Sequence, residues 1–248
     1  MKLTFLGTNG WYDTLTGNTI CSFIETKKYY IILDAGHGLY KIDQYIKEPK
    51  KAIYLFLSHF HLDHITGLHI LNKFNFKQTL NIYGQKGTGK ILNNVVKSPY
   101  TVPFSELQFP VKINELAEGK HQTPFPLECR FLIHPSPCLG YRFMIEDKII
   151  TYCTDTGVSS NAVILAKDAD LLITECSLKL GEANGNWPHL NPLDAIKIAE
   201  KAKSKKLALT HFDANNYLSM KERDQIKDEL GTKFKELLIA QDNMEINI

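Results

Sequence analysis

The chain has 248 residues, 44% of them hydrophobic, which is enough to bury a large core, and we expect a single domain over residues 1–248. Its 29 basic and 27 acidic residues leave a formal net charge of +2, which neither requires nor excludes an anionic partner. No apolar run approaches the roughly 20 residues that span a bilayer, so we do not expect this chain to be an integral membrane protein.

The cysteines and the N-terminus indicate a reducing cytoplasm. The five cysteines are an odd number, none lies in a CxxC pair, and strand-like sequence surrounds most of them, which predicts small buried thiols. The opening residues MKLTFLGT lack the apolar core of a signal peptide. We therefore expect a cytoplasmic protein.

The first half of the chain alternates β-rich runs with helical patterns. The predicted strands are residues 3–6, 19–25, 29–33, 52–57 and 81–83, and the predicted helices are residues 67–74 and 89–96. Residues 98–126 carry five prolines and are predicted to form a loop around one strand at 111–116. Long irregular segments are often functional, so this loop is expected to border the pocket.

The second half repeats the order of strands followed by helices. Its predicted strands are residues 127–133, 140–145, 148–153, 170–174 and 206–210, and its predicted helices are residues 161–166, 192–203 and 221–230. Two halves of this kind predict an α/β fold in which two sheets pack face to face with helices outside.

The densest chemical signal is the run SHFHLDH at residues 58–64, directly after a predicted strand. Three of the nine histidines and one aspartate fall within its last six positions. Residues two apart share a face of an extended segment, so His59 and His61 can point the same way. A turn into a helix after His61 would let Asp63 and His64 serve a second metal. Imidazole with carboxylate suits zinc and, less selectively, manganese or iron.

Three further ligand candidates each lie where a predicted strand stops: His134, Asp155 and His211. A rigid sheet holds such residues while the loop side stays open to solvent, as a catalytic site requires. Taken singly, each is better explained as a hydrogen-bonded histidine or a turn aspartate. Their coincidence with the histidine cluster favours a metal site.

The motif HxHxDH, followed by the later histidine, the aspartate of TDTG and the last histidine, resembles the metallo-β-lactamase superfamily in its two-metal hydrolase form. This resemblance implies a four-layer αβ/βα sandwich with two mixed sheets and helices outside. It also implies two divalent ions, with one held by His59, His61 and His134, the other by Asp63, His64 and His211, and Asp155 bridging. The motif LDAG is similar to the family's second motif, in which Asp34 is usually structural.

Finer motifs resemble the ribonuclease Z branch and its phosphodiesterase relatives. These motifs are FLGTNGWY, GYRF, LLITECSL and HLNPLDAIKIAEKA. The resemblance implies that His189 is catalytic and that Glu175 supports it. A metal-bridging hydroxide would attack the phosphate, and His189 would assist the leaving group. Asp63 would orient the hydroxide in addition to binding a metal. The simpler interpretation of His189 is a cap at the start of the following helix.

One departure from the branch bears on the substrate. The common bacterial ribonuclease Z carries a tRNA-gripping arm between the ligands that match His134 and Asp155, but only twenty residues separate them here, enough for one hairpin. The branch also tends to glycine at the position of Leu62. The chain is therefore more similar to armless phosphodiesterases that act on small nucleotide-like or cyclic phosphodiesters.

Two alternatives remain open at this point. One is a tRNA 3′-end processing endoribonuclease that lacks the usual arm, with RNA as its partner, and the other is a non-catalytic metal-binding module. The near-neutral charge disfavours a tRNA binder mildly. The resemblance further implies a homodimer. We assign no role to the remaining histidines, which are His37, His69 and His121.

Overall fold

The computed structural model describes residues 1–248. Its strands are β1 (Lys2–Gly7), β2 (Asn9–Gly10), β3 (Cys21–Glu25), β4 (Tyr29–Leu33), β5 (Ala52–Phe56), β6 (Leu80–Gln85), β7 (Val111–Leu116), β8 (Gly119–Gln122), β9 (Pro126–Phe131), β10 (Leu139–Ile145), β11 (Lys148–Cys153), β12 (Leu171–Glu175), β13 (Leu207–Thr210), β14 (Phe212–Asp213), β15 (Leu237–Ile239) and β16 (Glu245–Asn247). Its α-helices are α1 (Leu62–Ile65), α2 (Thr88–Val95), α3 (Ser160–Leu165), α4 (Pro192–Ala202) and α5 (Met220–Leu230). Three segments are 3₁₀-helical: His37–Gln44, Thr66–Lys73 and Phe104–Glu106.

Fourteen of the strands form two mixed seven-stranded sheets, and β2 pairs separately with β14. The first has the order β16-β1-β3-β4-β5-β6-β7, and the second has the order β15-β13-β12-β11-β10-β9-β8. The strands that precede the candidate ligands, which are β5, β9, β11 and β13, all lie inside these sheets and not at their edges. In the first sheet β4, β5 and β6 run parallel, and in the second β11, β12 and β13 run parallel. The carboxyl ends of such strands meet at one edge of a sheet, where side chains from separate loops converge.

Three apolar clusters define four layers. The central cluster joins the facing sides of the two sheets, with Phe56 stacked on Tyr83 and edge-on to Tyr141 and Phe143. A second cluster packs the outer face of the first sheet against α2 and the 3₁₀ segments. A third packs the outer face of the second sheet against α3, α4 and α5. The predicted four-layer αβ/βα sandwich is confirmed.

Several local predictions need correction. Residues 67–74 are not an α-helix, because α1 is a single turn that continues as the 3₁₀ segment Thr66–Lys73. Residues 98–126 are more ordered than expected: β8 pairs with β9, and Phe125 is buried in the central core. The short strands β2, β14, β15 and β16 were also missed. Strand β8 was not predicted because its sequence, GKHQ, has no alternation of apolar and polar residues. Backbone pairing at the edge of the sheet holds this strand, and side-chain burial contributes little.

The structure also bears on the cysteines and on membrane-spanning helices. All five cysteines are buried and free of disulfides, as predicted. None of the helices combines the length and the apolar character needed to cross a bilayer.

Candidate metal centre and active site

The structure brings together all seven predicted ligands at one edge of the sandwich. The loop after β5 and the following helix α1 supply four of them, and the loops after β9, β11 and β13 supply one each. They form two groups in which the ligand atoms lie within 4.8 Å of one another. The first group is His59, His61, His134 and Asp155, and the second is Asp63, His64 and His211.

Asp155 lies between the two groups and turns one oxygen toward each. Its Oδ1 is 3.3 Å from Nε2 of His64 and 3.2 Å from Nε2 of His211. Its Oδ2 is 3.7 Å from Nε2 of His59 and 3.9 Å from Nε2 of His134. A carboxylate in this position can contact both of two neighbouring cations.

Two unpartnered atoms indicate that these residues fit metal ions. Nε2 of His59 and Nε2 of His134 are buried and have no hydrogen-bond partner. Buried polar atoms are nearly always paired, so two orphaned imidazole nitrogens aimed at a carboxylate need an explanation. A divalent cation satisfies them, and imidazole with carboxylate is a donor set that such cations prefer.

The electrostatics of the first group favour the neutral imidazole, which is the form that binds a metal. Burial and the neighbouring His64 hold the pKa of His59 well below its ordinary value. Burial is also the main reason why the pKa values of His61 and His134 are lowered.

The second group behaves in the opposite way. Burial opposes protonation of His64 and His211, but the carboxylates of Asp155 and Asp63 together outweigh it and raise both pKa values. Burial would likewise raise the pKa of Asp155, yet His211 and His64 hold it well below the usual range. Protons therefore compete with a cation for these two imidazoles.

A buried carboxylate behind the centre orients His64. Asp34 is fully buried, and its Oδ2 accepts hydrogen bonds from Nδ1 of His64 at 2.8 Å and from the Tyr152 hydroxyl at 2.7 Å. The Ser58 hydroxyl donates to the same oxygen at 2.8 Å, and the Ser58 amide donates to Oδ1 at 2.7 Å. Because Nδ1 of His64 is fixed as a donor, its Nε2 faces the metal centre.

Other supporting contacts had no recognisable signal in the sequence. Nδ1 of His211 lies 3.1 Å from the Ser177 hydroxyl, and Nδ1 of His134 donates to the Ser136 carbonyl at 2.9 Å. The Trp11 backbone amide donates to Oδ2 of Asp63 at 2.8 Å. These contacts come from three separate loops, which a pattern search along the chain cannot join.

The loop that carries Trp11 is anchored by a buried arginine. Arg223 of α5 is fully buried and lies over the Phe212 ring at 4.6 Å. Its guanidinium donates to the Thr8 hydroxyl at 3.1 Å, the Asn9 side-chain oxygen at 2.5 Å and the Thr16 hydroxyl at 2.8 Å. The arginine therefore holds both ends of the loop over the site.

His189 lies beside the metal centre, paired with Glu175. Its Nδ1 donates to Oε1 of the fully buried Glu175 at 2.7 Å. Its ring centroid is 5.9 Å from that of His134 and 6.2 Å from that of His211. Burial alone would lower the pKa of His189, but the Glu175 carboxylate raises it to about 9. The pair therefore presents an imidazolium toward both groups of ligands at neutral pH.

The simpler interpretation of His189 as a helix cap is wrong. The residue that caps α4 is Asn191, whose side chain accepts from the Asp194 amide while Pro192 fills the first turn. His189 precedes the cap by two positions and is turned toward Glu175.

Comparisons with known proteins place the chain in a family. A model described as "Beta-lactamase superfamily domain" matches residues 29–212. The chain belongs to the beta-lactamase superfamily. It is 24% identical to ribonuclease Z of Bacillus velezensis, with 100% of this chain and 99% of the relative covered. It is 27% identical to the probable metallo-hydrolase YhfI of Bacillus subtilis, with 86% and 87% covered.

A solved structure supports the fold. The crystal structure of the short form of human tRNase Z superposes with a TM-score of 0.79 at 23% identity, covering 100% of this chain and 99% of that one. The prediction of a metal-dependent hydrolase in the ribonuclease Z branch of the metallo-β-lactamase superfamily is confirmed.

Proposed function

We propose that this metallo-β-lactamase-fold hydrolase uses two divalent cations, zinc in the first instance, to cleave small nucleotide-like or cyclic phosphodiesters. The observation that carries the proposal is the His189–Glu175 pair beside the two ligand groups. Hydrolysis of a diester with an alkoxide leaving group needs a proton at the departing oxygen, and an imidazolium supplies one. Hydrolysis of esters with acidic leaving groups needs no such proton.

The chain's own residues divide the remaining work. When bound, two divalent cations would neutralise the phosphoryl oxygens and lower the pKa of an attacking water. Asp63 uses Oδ2 to accept from the Trp11 amide, and that oxygen lies 3.3 Å from Nε2 of His211. Its Oδ1 is left to orient the attacking water. Glu175 keeps the Nδ1 proton of His189 in place, so Nε2 is the atom that delivers a proton to the leaving oxygen.

The connection between His134 and Asp155 supports a small substrate. The hairpin β10–β11 spans Leu139 to Cys153 and uses most of the residues between these two ligands. It pairs with β9 and β12 inside the second sheet, so it extends no arm from the surface.

Endonucleolytic processing of tRNA 3′ ends is the second candidate. The similarity to a ribonuclease Z over nearly the full length of both chains favours it. A non-catalytic metal-binding module is disfavoured, since the ligand groups and the His189–Glu175 pair are complete. A single domain over residues 1–248, a homodimer and a cytoplasmic location stay predictions, and light scattering of the purified protein tests the dimer.

The decisive experiment compares leaving groups in the wild type and in His189→Ala, with zinc or manganese supplied. The substrates are bis-p-nitrophenyl phosphate, cyclic mononucleotides and a precursor tRNA. Loss of a general acid costs about 10²- to 10⁴-fold, so the variant should lose that much kcat on the cyclic nucleotides and far less on the p-nitrophenyl ester, whose leaving group needs no proton.

His121→Ala is the matched control, because His121 is a half-buried histidine on β8 whose ring hydrogen-bonds only to the Ala117 carbonyl and which belongs to neither ligand group. Equal losses on both kinds of ester would refute the role of His189. Cleavage of the tRNA at its 3′ trailer without turnover of the small esters would favour the second candidate.

A further inference from the structure

A hollow opens directly beside the metal centre and shares Asp63 with it. Its volume is about 290 Å³, near the lower end of the ~300–1,000 Å³ of small-molecule sites. Trp11, Tyr12, His37, Leu62 and His69 form much of the rest of its wall. A group seated here would be attached to a phosphate at the metal centre by only a short linkage.

One side of the hollow is aromatic and held in place. The side chain of Trp11 is 65% exposed and meets the Tyr12 ring edge-on at 5.2 Å. The Trp11 backbone has a positive φ of 73° and donates to Asp63, and Arg223 anchors the surrounding loop. An exposed indole on a tethered backbone offers a flat apolar face at little further cost in conformational entropy.

The other side offers two imidazoles with an open edge. Nδ1 of His37 donates to the Asp13 carboxylate, and Nδ1 of His69 donates to the Thr66 carbonyl. Neither ring makes a hydrogen bond to the protein through Nε2, and the two ring centroids lie 6.5 Å apart. Imidazole rings of this kind can both stack and form hydrogen bonds with the edge of a base.

The charges of the wall select against a phosphate. No lysine or arginine lines the hollow, whereas the carboxylates of Asp13 and Asp63 both do. An anion would be repelled here, but a flat, neutral, aromatic group with donors and acceptors on its edge would be accepted.

We propose that this hollow is a nucleobase subsite that seats the base attached to the scissile phosphate. The substrate class is then a nucleoside-bearing phosphodiester, and not a simple alkyl or ribosyl diester. This inference rests on the proposed function for its catalytic test, but not for its binding test.

The catalytic test uses two esters with the same leaving group, thymidine 5′-(p-nitrophenyl phosphate) and methyl p-nitrophenyl phosphate. Trp11→Asn removes the indole and keeps a residue that tolerates positive φ. The ratio of kcat/KM values for the two esters should fall by about 5- to 100-fold in this variant, as expected for the loss of one base–aromatic stack. Leu15→Ala, in the same loop and fully exposed, should leave the ratio unchanged.

The binding test is calorimetry of the wild type with adenosine 5′-monophosphate and with ribose 5-phosphate, which differ only in the base. The base should tighten binding at least tenfold, and His69→Ala and Trp11→Asn should each remove part of that gain. Equal affinity for the two ligands, or an unchanged ester ratio in Trp11→Asn, would overturn the subsite. If neither ester is hydrolysed while the base still tightens binding, the proposed function fails and the subsite stands.

Discussion

Asp34→Asn tests whether the buried carboxylate behind His64 acts on metal binding or only on folding. Asparagine is close in shape and tolerates the positive φ of 56° at this position, so the backbone need not move. With its amide oxygen at the position of Oδ2, it can still accept from His64 and Tyr152. Its NH₂ group then faces the Ser58 amide, which loses its acceptor.

The expected loss of stability follows from these contacts. One buried donor without a partner costs about 1–3 kcal/mol, and bonds that lose the help of a full negative charge weaken further. We expect a total of about 3 kcal/mol, which for a chain of this size lowers Tm by about 6–12 °C. The amide lacks the negative charge that makes His64 a stronger ligand, so zinc binding should weaken by about 10- to 100-fold.

The assay combines thermal unfolding with a zinc competition titration against a chromophoric chelator. Tyr152→Phe is the control, because it removes one donor to the same oxygen and leaves the carboxylate beside His64. It should cost about 1 kcal/mol and change zinc affinity less than about threefold. If Asp34→Asn loses stability but binds zinc like the wild type, the carboxylate is structural and our account of His64 is refuted.

Three further predictions concern the remaining buried groups. The pKa of His189 is raised to about 9 by Glu175, so activity that needs the imidazolium should fall as pH rises through that value. Glu175→Gln should move this alkaline limb of the kcat/KM profile down toward about 6.5. An unmoved limb would refute the coupling between His189 and Glu175. Protons compete for His64 and His211, so the zinc dissociation constant should rise by up to about tenfold per pH unit for each proton displaced as pH falls, and a pH-independent titration would contradict this. Arg223→Met should cost about 3 kcal/mol in urea unfolding because three buried acceptors lose their donor, and a loss below about 1 kcal/mol would refute its anchoring role.

The convergence of the seven candidate metal ligands was predictable because their chemistry and their spacing agree. The run at residues 58–64 is dense in ligand types, and His134, Asp155 and His211 each end an apolar strand, which is a pattern visible along the chain. Burial of whole strands, such as LLITE in β12, also made the central sheets predictable.

The supporting residues were not predictable because long-range contacts define them. A single serine such as Ser177, or an arginine such as Arg223 within a polar helix, has no local pattern that distinguishes it from a surface residue. The histidines of the proposed subsite, His37 and His69, were left without a role for the same reason: their hydrogen-bond partners Asp13 and Thr66 become informative only when the loops fold together.

The two ligand groups have a mechanical consequence for the sandwich. His59, His61, Asp63 and His64 follow a strand of the first sheet, whereas His134, Asp155 and His211 follow strands of the second. A cation held by either group therefore cross-links the two sheets at the edge of the central core. The binding free energy of such a cation would add to the free energy of unfolding, so the proposed metal centre would also stabilise the packing of the two sheets against each other.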